Sequence, residues 1–158
     1  MKKIILTEAV LVLLLAGIMT LLLWKKEPKD ISLDTAEMVF IKECTLGQME
    51  KAKDMRMKRA FSLNADDFEG YFYYAPDNTM SVDELLVLKL KDESQSADAL
   101  AAIRERLSVQ KRNFDGYGVD QTDLLNHAVT LSEGRYIVFA VGRDAETWVN
   151  TIKRQWKD

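Results

Sequence analysis

Asp83 and Glu84 stand side by side at the head of the run ELLVLKLK, residues 84–91. Two carboxyl groups suit general acid–base catalysis when they converge on one point with separated pKa values. Consecutive residues of a strand point to opposite faces, so these two are expected to diverge. Glu84 then shares the face of Leu86 and Leu88, where it would cap a backbone group or pair with an arginine. Glu84 with Asp83 or His127 is still the set that hydrolase-like chemistry would use. Gln110, Tyr117 and His127 could meet as a polar network near the end of one long helix. Ser94, Ser96, Ser108 and Ser132 lack a Gly-x-Ser-x-Gly setting, so a nucleophilic serine has no support. One histidine and one cysteine, Cys44, leave the usual zinc donor sets unfilled. No catalytic residue, metal or cofactor is therefore expected.

The aromatic stretch Tyr71, Phe72, Tyr73, Tyr74 offers a different chemistry, that of stacking on a sugar or peptide. Alternation places Tyr71 and Tyr73 on one face, and Phe72 and Tyr74 on the other. The expectation is that Phe72 and Tyr74 join the core while Tyr71 and Tyr73 stay exposed as a binding pair. The candidate binding residues are thus Tyr71, Tyr73, Glu84, Gln110, Tyr117 and His127. A basic cluster, Lys51, Lys53, Arg56, Lys58 and Arg59, is suited to anionic headgroups or wall polymers, or is simply a solvated helix face.

These residues must be positioned by a mixed set of elements. A helix is expected over 33–46, capped by Asp34 with Glu37 three residues on. A second, short one falls within 48–62. Two strands, 68–75 and 84–91, should pair as a hairpin across the Pro76-Asp77-Asn78 turn. The clearest helix runs 94–114, with Leu100, Ile103, Leu107, Gln110 and Phe114 at spacings of three and four. Asp92 with Gln95 as a capping box, or Ser94 itself, can cap its start, and Gly116 and Gly118 mark its end. A helical turn over 120–125 precedes a second hairpin, 128–131 with 135–141, around Gly134. A last helix carries Ala145, Trp148, Ile152 and Trp156 in one stripe. The order predicts an α+β domain: an antiparallel sheet of about four strands in two hairpins, with helices packed mainly on one face.

Ahead of this domain, Ala9 to Trp24 is an unbroken apolar run. It covers about 24 Å, and Ile4 to Leu6 extend it. The expected organisation is a cytoplasmic tail at 1–3, a transmembrane anchor at 4–24, a charged linker at 25–32 and one domain at 33–158. Lys2 and Lys3 suit an N-inside signal anchor, with the domain outside the cytoplasm. No Ala-x-Ala-like site precedes Lys25. Residues 30–158 hold 17 Lys+Arg and 23 Asp+Glu, a net charge of −6 that fits nucleic acid poorly.

Four segments carry a resemblance to a bacterial family: DELLVLKLKD at 83–92, QKRNFDGY at 110–117, LLNHAV at 124–129 and GRYIVFAV at 134–141. Together they resemble the domain of unknown function 4358 over most of residues 54–158. The resemblance implies a small extracytoplasmic domain behind a signal peptide, lipoprotein signal or single anchor, and implies no activity. Many members carry a lipid-attachment cysteine; this chain has none near its N-terminus, which agrees with a helical anchor. The functional expectation is a non-enzymatic binding module at the cell membrane, held in the bilayer by residues 4–24 and meeting an envelope protein or polymer. The alternative is a hydrolase-like enzyme using Glu84 with Asp83 or His127.

Overall fold

The computed structural model describes residues 13–17 and 29–156. Most of the expected anchor, the linker up to Pro28 and the last two residues lie outside them. Residues 13–17 are helical. No helix among the described residues is long and apolar enough to cross a membrane.

The domain is built on a five-stranded antiparallel sheet. Its strands are β1 (Met49–Lys51), β2 (Gly70–Pro76), β3 (Glu84–Lys89), β4 (Val129–Glu133) and β5 (Tyr136–Val141), in the order β1-β2-β3-β5-β4. The helices are α1 (Leu33–Glu43), α2 (Asp54–Phe61), α3 (Ser96–Phe114), α4 (Val119–Asn126) and α5 (Ala145–Gln155). The two central strands, ELLVLK and YIVFAV, are buried at every residue. Their register sets Leu86 opposite Phe139 and Leu88 opposite Ile137. Two neighbouring apolar strands with no polar alternation are stable only when both faces are covered.

The helices do cover both faces, a correction to the expected one-sided packing. On one face Tyr73, Leu86, Leu88, Ile137 and Phe139 pack with Met57 and Phe61 of α2, Ile103 and Phe114 of α3, and Leu125 of α4. On the other, Phe72, Tyr74, Leu85, Val87 and Val138 pack with Phe40 of α1, Trp148 and Ile152 of α5, and Trp156. Each such side chain contributes about 1.5–3 kcal/mol on burial.

The sheet also has five strands where about four were expected. Met49–Lys51 adds to β2 with Lys51 opposite Tyr74, because Met49 buries its side chain beside Phe72 and Tyr74. The short helix accordingly starts later, at Asp54. Ser32 occupies the cap position of α1, and Asp34 falls inside its first turn. The capping box forms as expected: Asp92 Oδ1 accepts from the Ser94 amide at 2.8 Å and Gln95 Oε1 from the Asp92 amide at 3.2 Å. Gly134 takes a left-handed conformation in the second hairpin, φ 55°.

The entering chain is tied to the sheet by a charged cluster. The Ile31 amide donates to Tyr136 Oη at 2.9 Å, and the Lys29 amide to the Trp156 carbonyl at 3.0 Å. Lys89 Nζ lies 2.6 Å from both Asp30 and Glu69, and Arg135 pairs with the same two carboxylates.

Candidate functional site

A cleft of about 1000 Å³ lies between α2 and α3, beside the end of β2. Two helical stripes form its walls. Arg106, Gln110, Asn113 and Tyr117 follow one another at spacings of four, three and four, so one side of α3 and the turn after it presents all four. Arg56, Arg59 and Ala60 do the same from α2, and Lys51 and Lys53 flank them.

Beneath the cleft lies a buried ion pair. Glu84 is 1 % exposed. Arg106 reaches it with both ends of its fork, Nε to Oε2 at 3.2 Å and Nη2 to Oε1 at 3.0 Å. Tyr73 Oη donates to Oε1 at 2.5 Å. Burial, and then the Glu84 charge, push the Tyr73 phenol well above its ordinary pKa, so it stays a donor. The guanidinium also lies over the Phe61 ring, 5.9 Å from its centroid. The two-pronged geometry is the favourable one for a buried pair, which gains little without such extra bonds.

Asp83 turns away as alternation requires, accepting from the Gln48 amide at 3.0 Å. The two adjacent carboxylates therefore share no site. Gln110, Tyr117 and Tyr73 line one cleft, with Glu84 under it. His127 is not brought to them. It is exposed, with Nδ1 2.8 Å from the Asp123 carbonyl, and it borders a separate hollow of about 280 Å³ with Asp120, Asp123 and Arg143.

The exposed aromatic pair expected on β2 does not form. Tyr73 is 1 % exposed, and Tyr71 is half-buried with its hydroxyl on the Asp54 carboxylate. The parity was right, but α2 and α3 cover that face. The basic cluster, by contrast, lies at the cleft: Lys51, Lys53, Arg56 and Arg59 all line it. The sequence reading missed Arg106 and Asn113. Their signal was the four-three-four spacing with Gln110 and Tyr117.

A family model described as domain of unknown function (DUF4358) matches residues 42–142. The chain belongs to this family. Every residue lining the cleft, from Lys51 to Tyr117, lies in the DUF4358 span, whereas α5 lies outside it. No curated protein and no solved structure matches the chain.

Proposed function

We propose that the chain is a non-enzymatic binding module at the cell envelope, tethered to the membrane by residues 4–24 with its domain outside the cytoplasm. The cleft between α2 and α3 receives its partner, an envelope protein or polymer. The observation that carries this reading is the state of Glu84. Both its oxygens are occupied by Arg106 and one also by Tyr73, so it acts as a strut under the cleft. A general acid would need that carboxyl within reach of a substrate. The cations, amides and aromatic ring above it are groups that hold a ligand. The apolar run and its flanking lysines support the tether and its orientation.

Photo-crosslinking tests the reading in living cells. A crosslinker at Asn113, in the cleft wall, should capture one discrete envelope component; the same group at Lys42, on exposed α1, should not. Protease added to spheroplasts should digest the domain. Saturable turnover of an envelope substrate by the purified chain, abolished in Glu84→Gln, would establish the hydrolase alternative instead.

A further inference from the structure

Resting on the reading of the cleft as a binding site, we infer that its ligand is an acidic saccharide: sugar rings carrying a carboxylate or phosphate. Three independent features of the cleft converge on this chemistry.

The first is charge without a partner. Lys51 is paired with Glu37, Arg56 with Glu50 and Arg106 with Glu84. Lys53 and Arg59 have no carboxylate partner among the described residues, and the Arg59 guanidinium makes only a contact with Met55 Sδ at 3.3 Å. Asp77 is the one carboxylate in the lining, and the Asn78 amide donates to it at 2.6 Å. In a domain of net charge −6, two uncommitted cations on one wall are a local attraction for an oxyanion.

The second is Gln110. It is 7 % exposed and lines the cleft, yet its side-chain amide has no hydrogen-bond partner among the described residues. The amide opens to the cleft, where a ligand group can replace water as its partner. The amide both donates and accepts, which matches the hydroxyl of a sugar better than a bare oxyanion.

The third is Tyr117. Its ring is 65 % exposed and leans on Phe114 at 5.8 Å between centroids. A supported, exposed aromatic face at the mouth of a polar cleft suits the apolar C–H face of a sugar ring. The volume of about 1000 Å³ is at the upper end of small-ligand sites, room for more than one ring. An acidic peptide would use the cations and pair its backbone with the Gln110 amide, but tetraglutamate has no ring face to lay on Tyr117.

Calorimetry on the full chain in detergent micelles tests this with four probes: tetragalacturonate, glucose 6-phosphate, neutral cellotetraose and tetraglutamate. At least one charged sugar should bind at a single site, and the neutral sugar and the peptide should bind at least roughly tenfold more weakly. Binding of tetragalacturonate alone makes the oxyanion a carboxylate; binding of the sugar phosphate alone makes it a phosphate. Arg59→Ala and Gln110→Leu should each weaken the charged sugar by roughly tenfold, with the melting temperature checked in both, whereas Lys42→Ala should not. Equal binding of tetraglutamate or cellotetraose, or unchanged binding in folded Arg59→Ala and Gln110→Leu, overturns the inference. If no charged sugar binds while crosslinks from Asn113 still form, the inference falls and the binding-module reading stands. If those crosslinks are absent too, both fall.

Discussion

Replacing Arg106 by methionine asks whether the Glu84 strut is what the geometry makes it. Methionine keeps the length and the contact over Phe61 but leaves a carboxylate that is 1 % exposed with Tyr73 as its one remaining side-chain partner. Removing one member of a fully buried pair costs about 3–5 kcal/mol. The Arg106 side chain is 18 % exposed at the cleft, so water softens the loss toward the lower end, about 3 kcal/mol. For a domain of roughly 130 residues that lowers the melting temperature by about 10 °C. Glu84→Gln keeps a hydrogen-bonding oxygen for Tyr73 and Arg106 and should cost about 1–2 kcal/mol. The double variant removes both charges, so the two losses should couple by about 2 kcal/mol and the double should melt well above the sum. Thermal melts of the parent, both single variants and the double complete the cycle. Additive losses, or an Arg106→Met melt within 2 °C of the parent (about half a kcal/mol), would refute the strut.

Phe72 is buried against Phe40, at 6.5 Å between centroids, and Phe72→Ala should cost about 3–5 kcal/mol in urea unfolding; an unchanged midpoint would show that α1 does not cover that face. Hydrogen bonds, from Lys89 foremost, hold Asp30 below the ordinary carboxylate range; the Lys89 bond does the same for Glu69, opposed by some desolvation. Their contribution is therefore complete above about pH 4.5 and is lost as pH falls through the lower folded values. Lys89→Met should flatten the fall in melting temperature between pH 5 and 2, and parallel curves would contradict it. At Gly142, φ is 152° and an added Cβ would sit 2.5 Å from the Trp148 ring. Gly142→Ala should cost about 1–3 kcal/mol and alter the Trp148 fluorescence.

The elements were legible in the sequence wherever local chemistry decided them. Asp92 and Gln95 sit three apart and form their box, and the Leu100–Ile103–Phe114 stripe forms α3. What the sequence hid was placement across the sheet. Glu84, Leu86 and Leu88 share one face of β3 and Leu85, Val87 and Lys89 the other, and the unbroken apolar run from Leu85 to Leu88 already requires a helix layer on each. The β1 strand has only three residues, too few for alternation to register, and is held by pairing with β2 far along the chain. Tyr71 and Tyr73 share a face as parity demands, but parity cannot say that Phe61 and α3 close over it. His127 and Gln110 are near in sequence, but α4 ends with His127 exposed at another hollow. Arg106 reaches Glu84 across 22 positions, a contact that only the packing of α3 onto the sheet creates.

Methionine-methyl NMR on the full chain tests the account most directly, because two exposed methionines report on opposite faces of the sheet. Met55 lines the cleft and Met38 lies on α1, at 65 % and 63 % exposure. As an envelope polymer fraction is titrated in, the Met55 methyl resonance should move saturably while that of Met38 stays fixed. Movement of Met38 with Met55 unmoved, or no movement of either, would contradict the assignment of binding to the cleft between α2 and α3.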